Sequence, residues 1–167
     1  RTSFKSDAEA RWVGKLGLRQ SAPGDDELVA QLVSLLRVVE TDMTIFFRSL
    51  GTIDGLNPLD MAHAYYDEAA LPVDELGLWL GKWWSRVDGD PDREAMNNAN
   101  PKYVLRNWMS QLAIEAAEAD DYSVAIELQD LLRAPYEEQP SSQDRWYKKR
   151  PEWARHKVGC SMLSCSS

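Results

Sequence analysis

The chain's two thiols, Cys160 and Cys165, both fall in the closing run Cys-Ser-Met-Leu-Ser-Cys-Ser-Ser. A thiolate is the nucleophile of disulfide exchange, and small neighbours such as Gly159, Ser161 and Ser164 leave a sulfur open to a partner. Chain ends are also where the backbone is least tied down, so the placement points to redox chemistry rather than core packing. Lys148, Lys149, Arg150, Arg155 and Lys157 lie close in sequence and bring positive charge that favours a thiolate. The competing reading is a frayed tail whose cysteines do nothing.

Elsewhere the reactive side chains lack the company they need. His63 and His156 stand without the His or Cys spacing of a zinc site, and no metal site is assigned. The pairs Asp25/Asp26, Asp120/Asp121 and Glu137/Glu138 fall at helix starts or in a linker, where negative charge suits the helix dipole better than acid–base catalysis. Asp88-Gly-Asp90 has the look of a metal motif but reads as a turn between proline-started helices. Kinase-type chemistry needs a glycine-rich loop, a lysine on the phosphates and an Asp/Asn pair holding magnesium. The sequence has none of these, so no catalytic residue and no cofactor are assigned to the chain itself.

The elements that must position these residues are helical. Asp26 to about Glu40 carries Leu28, Leu32, Leu35, Leu36 and Val39 at helical spacing. Ser6 caps a helix from Asp7 to about Leu16, and Asp42 caps one that ends at Gly51. Asn57-Pro58 opens a helix to about Glu68, Pro72 one with the stripe Leu76, Trp79, Leu80, Trp83 and Val87, and Asp90-Pro91 a short one. Trp84, adjacent to Trp83, must point about 100° away from that stripe and is the interface candidate. Asn100-Pro101 is read as cap and first turn of a helix to Ala119, and Asp121 caps the last strong one. The polar run from Glu137 to Gln143 reads as a linker, and Arg145 to Lys149 as one helical turn. The expected fold is all-α, a multi-helix orthogonal or antiparallel bundle over residues 1–136 with a linker and an irregular, basic, cysteine-containing tail over 137–167.

Composition bounds the partners. The formal charge of −8 excludes general affinity for nucleic acid and does not suit an anionic membrane. Residues 142–157 nevertheless hold six Lys/Arg against Asp144 and Glu152, net +4, which leaves −12 on the rest. Such a segment either folds back on the acidic body or stays a solvated strip. No apolar run approaches a membrane span and no signal segment opens the chain. Two cysteines are no disulfide scaffold, so a reducing, cytoplasmic setting is expected.

Several strings carry a resemblance. Asn100-Pro-Lys-Tyr-Val-Leu-Arg-Asn107, Ala113-Ile-Glu-Ala-Ala117, Leu131-Leu-Arg-Ala-Pro-Tyr136, Trp153-Ala154 and the terminal Cys165-Ser-Ser are similar to the carboxyl-terminal region of the selenoprotein O family, the YdiU-type proteins. Lys15-Leu-Gly-Leu18 and Asp42-Met-Thr-Ile-Phe-Phe-Arg-Ser-Leu50 resemble the same family just after its kinase-like core. The resemblance implies a kinase-like fold, of which this chain is the distal part, and an enzyme that transfers AMP from ATP to protein hydroxyls. ATP and magnesium are then implied for the parent protein, whose kinase-like portion and protein substrates are the expected partners. The chain opens on Arg1 rather than Met, which agrees with one region of a longer polypeptide, and Ser167 is read as the natural end.

Cys165 stands where some members carry selenocysteine, so the resemblance implies a redox-active tail. Where those members have a cysteine three residues earlier, this chain has Met162, and the nearest thiol is Cys160. An internal bridge would need Ser161 to Ser164 to turn, because bridged Cα atoms lie about 4.4–6.8 Å apart. A thiol in the kinase-like portion is the alternative partner. Arg106 and Asn107 are expected to hold their helix against that portion, Arg106 with a carboxylate partner, and direct contact with substrate is the second reading. A second function of another class is a non-catalytic helical interaction module that uses Trp84 and the basic tail.

Overall fold

Three acids, Asp25, Asp26 and Glu27, follow Gly24 and sit in the first turn of a helix, where they meet the positive end of its dipole. In the computed structural model, which describes residues 10–157 and Cys160, that helix is α2, Asp25–Val38, preceded by α1, described over residues 10–15. Leu28, Leu32 and Leu36 recur every four residues and are buried against α4, Val73–Arg86, where Leu76, Trp79, Leu80 and Trp83 form the opposing stripe. Both buried indoles donate to backbone carbonyls of other elements, Trp79 Nε1 to Leu28 O at 2.9 Å and Trp83 Nε1 to Leu16 O at 2.8 Å. The Trp stripe thereby ties α4 to α2 and to the end of α1.

Asp42 caps α3, Met43–Leu50, by accepting from the Ile45 amide at 3.1 Å, and Ile45, Phe46, Phe47 and Leu50 are buried. The helix expected from Pro58 to Glu68 is instead a 3-10 helix, Pro58–Ala64, followed by a 3-10 turn, Glu68–Ala70. Its buried residues, Met61 and Ala64, are three apart, the spacing at which a 3-10 helix stacks its side chains. After α4, Asp88 and Gly89 both take positive φ, 53° and 71°, so Asp88-Gly-Asp90 is a turn. Asp92 then caps α5, Arg93–Ala99, whose Met96 is buried. Gly17, at φ 65°, lies so close to α5 that a Cβ there would come within 2.8 Å of Met96 Sδ.

The chain divides into two compact units, residues 1–100 and 101–167. In the second, α6 (Asn107–Glu118) packs on α7 (Ser123–Leu131), and two shorter helices follow, α8 (Pro140–Trp146) and α9 (Glu152–Arg155). Its core gathers Tyr103, Trp108, Met109, Leu128, Leu131, Trp146, Ala154 and Cys160. The stretch read as a linker therefore carries the start of α8, and α8 and α9 both send side chains into this core.

Pro101 does not open a helix. The amides of Lys102 and Tyr103 both donate to Pro135 O, at 2.8 and 3.0 Å, which draws residues 101–106 out of helical geometry and delays α6 to Asn107. Regular structure among the described residues is otherwise helical, with one isolated bridge, Thr41 to Tyr65, and no strand. No helix among them is long and apolar enough to cross a membrane.

Candidate functional site

Three of the strings singled out in the sequence converge in the first unit. Lys15 reaches from α1, Arg48 from α3, and Asn100 stands at the C-terminus of α5, only 2% exposed. Asn100 Oδ1 accepts from Lys15 Nζ at 2.7 Å, while its Nδ2 donates to Lys15 O at 3.1 Å and Met96 O at 2.9 Å. Arg48, also buried, donates to the carbonyls of Asn97 and Asn100 at 3.4 and 3.3 Å. The Lys15 ammonium lies 4.2 Å from the centre of the Phe47 ring, and burial pulls its pKa below the ordinary lysine value. Asn100 is thus the C-cap of α5 rather than the N-cap of the next helix, because its side chain is committed to Lys15 and Met96. Chemically, this cluster holds three helices in register, with both amide hydrogens of Asn100 committed to backbone carbonyls.

The same string continues in the second unit with Lys102, which is 6% exposed. Its ammonium donates to the Glu138 carboxylate and to Gln143 Oε1, the latter at 2.9 Å, and lies 4.9 Å from the centre of the Tyr147 ring. Tyr103 donates its hydroxyl to Gln139 O at 3.1 Å. Half-buried Arg106 is the N-cap of α6, its carbonyl accepting from Met109 and Ser110. Asn107 Nδ2 donates to Cys160 O at 3.4 Å.

Cys160 is free and buried, 4% exposed in the core of the second unit, so the access expected from its small neighbours is not found at this sulfur. Cys165 lies outside the described residues, as does Ser6. The basic stretch folds back: Arg145 pairs with Glu127, which also accepts from Trp146 Nε1 at 2.7 Å, and Lys157 pairs with Glu115. The Lys157 hydrogen bond, and after it the one from Gln111, lowers the pKa of the Glu115 carboxyl from its ordinary value.

Trp84 is half-buried and stacks edge-on to Trp83 at 5.8 Å, with Gly89 of the left-handed turn against its indole. His63 is not isolated: its Nε2 lies 2.7 Å from the hydroxyl of buried Ser49, a tie between α3 and the 3-10 helix. His156 lines a shallow cleft of about 490 Å³ with Leu112, Glu115, Trp153 and Lys157. No group of three or more His, Cys, Asp or Glu among the described residues could hold a metal ion. Buried Arg48 and Lys102 and half-buried Lys15 carry no sign of their burial in the sequence, although each sits inside one of the family-like strings.

These strings lie within a similarity that covers nearly the whole chain. The sequence is 44% identical to the protein nucleotidyltransferase YdiU of Flavobacterium johnsoniae over 98% of its length, and 43% and 41% identical to those of Rhodopirellula baltica and Aromatoleum aromaticum over the same share. The chain belongs to the YdiU family. It spans about a third of the length of these relatives, 34%, 35% and 33%, which fits a carboxyl-terminal region of the YdiU sequence. No family model matches it.

Proposed function

We propose that this chain is the carboxyl-terminal helical region of a protein adenylyltransferase, which moves AMP from ATP onto protein Ser, Thr or Tyr hydroxyls. The observation that carries the reading is the 41–44% identity to proteins named nucleotidyltransferase over 98% of the chain. ATP and magnesium belong to the portion of the family polypeptide that this chain does not span, because none of the phosphate-binding strings of a kinase-like site occurs here. The chain's own part is structural: it presents a fixed helical body, with the Lys15–Asn100–Arg48 cluster holding α1, α3 and α5 together. Cys165 is the redox element of the enzyme, and the setting is cytoplasmic.

The buried state of Cys160 favours Cys165 as the thiol that meets an external partner. In that exchange the Cys165 thiolate attacks one sulfur of a partner disulfide; the new S–S bond forms as the old one breaks, and the second partner sulfur leaves as a thiolate. Labelled ATP with magnesium tests the transfer itself. The full-length Flavobacterium johnsoniae relative is expected to label protein with AMP, and this chain alone is expected to give only background. Labelling by the chain alone would remove the structural assignment, and none by the full-length relative would remove the adenylyltransferase reading.

A further inference from the structure

The sequence of α2 has more apolar faces than its own unit uses. Leu28, Leu32 and Leu36 are buried inward, yet Val29 and Val33 look along a second face and are only half-buried, with exposed Ala30 between them. A helix that is apolar well beyond one stripe is built to be covered on more than one side. On that second face α2 borders a groove of about 770 Å³, whose apolar wall comes from Trp12, Val13, Leu18, Val29 and Val33. Trp12 is fixed there by Phe47, whose ring lies 6.0 Å away.

The polar groups at the groove's end make few demands. Asp25 accepts from the Ala22 amide at 2.7 Å and from Arg86 at 2.7 and 3.1 Å, and Asp26 accepts from the Glu27 amide at 2.9 Å. An occupant therefore has to supply apolar side chains rather than a charge. The relatives supply a source for them, since this chain spans only about a third of their length.

We infer that the groove between α1 and α2 is the seat of an apolar segment from the portion of the YdiU polypeptide that this chain does not span. The inference rests on the reading of the chain as one region of that longer enzyme. It adds the surface through which the region is held: half-buried Trp12, Val13, Val29 and Val33 are the residues that the rest of the enzyme covers, on a floor that includes buried Leu18.

Site-resolved alkylation tests it. Val33→Cys is made in this chain and at the aligned position of the full-length Flavobacterium johnsoniae relative. The rate of N-ethylmaleimide labelling is read by peptide mapping and divided by the rate in urea-unfolded protein. The expected result is fast labelling in this chain and labelling slowed about tenfold or more in the full-length relative. Equal rates in the two proteins overturn the proposal. Protection in this chain that grows with its concentration assigns the groove to a second copy, and also overturns it. If circular dichroism shows that Val33→Cys has lost helix, Ala30→Cys on the same wall gives the same readout. AMP transfer by the full-length relative is measured alongside. Equal labelling with active transfer sinks the groove and leaves the enzyme reading standing, whereas protection without transfer does the reverse.

Discussion

The two units solve the burial of tryptophan differently. In the first, Trp79 and Trp83 each give the indole N–H to a carbonyl of another element, so the large side chains pack and fasten at once. In the second, Trp146 gives its N–H to the Glu127 side chain, which Arg145 also holds, while buried Trp108 Nε1 has no hydrogen-bond partner among the described residues. The indoles of the first unit are fastened by buried backbone acceptors, which ionic strength does not touch, and its half-buried Arg86–Asp25 pair adds to them. The second leans on ion pairs at its surface, Arg145–Glu127 and Lys157–Glu115, which salt weakens.

The largest expected effect is Trp83→Ala, which removes a fully buried indole and leaves the Leu16 carbonyl without that donor. It is expected to cost about 3–5 kcal/mol in urea unfolding. A loss below 1 kcal/mol would show that the Trp stripe does not hold the first unit. The comparison sharpens with phenylalanine in place of each indole. Trp83→Phe loses a hydrogen bond and Trp108→Phe loses none, so the first is expected to be worse by about 1–3 kcal/mol. Equal costs would erase the distinction between the units.

Acid gives the next effect. Burial pushes the Asp25 carboxyl up, but the Arg86 hydrogen bond, the Ala22 amide and the Arg86 charge outweigh it and leave its pKa below 3.8. A carboxylate with a depressed folded pKa adds stability above the unfolded value and loses it as pH falls through the folded one. Wild type is therefore expected to exceed Asp25→Asn by on the order of 1 kcal/mol at neutral pH, the gap closing below 3.8. A gap that persists at acid pH would detach Asp25 from this role. Smallest is Arg145→Ala, an exposed pair expected to cost about 0.5 kcal/mol or less at low salt and nothing at high salt. A cost unchanged by salt would refute the electrostatic account of the second unit.

Much of the fold was legible because its decisive contacts repeat locally. Leu28, Leu32 and Leu36 announce α2, Trp79 and Trp83 announce the buried stripe of α4, and the Asp42 cap needs only the next three residues, whereas the short helix expected from Asp90-Pro91 is capped by Asp92. What was illegible depends on partners distant in sequence. Nothing near Asn100-Pro101 tells that Pro135 will take the amides of Lys102 and Tyr103, so a good cap sequence was read as a helix start. Cys160 looks exposed among Gly and Ser, yet it is buried in a core to which α6, α8 and α9 contribute Trp108, Trp146 and Ala154. At the candidate site the strings were visible but their meeting was not: Lys15 and Asn100 are 85 positions apart and share one hydrogen bond.

The paired indoles also make the protein its own optical instrument. Trp79 and Trp83 lie nearly parallel, 5° apart with centres 6.2 Å from each other, and Trp108 and Trp146 stack at 27° and 5.8 Å. Two such couples, held in asymmetric surroundings, couple their electronic transitions and give near-ultraviolet circular dichroism that vanishes when either pair separates. Because each couple belongs to a different unit, mutating one indole of a pair assigns its band. The melting of each half of the polypeptide can then be followed without any added dye.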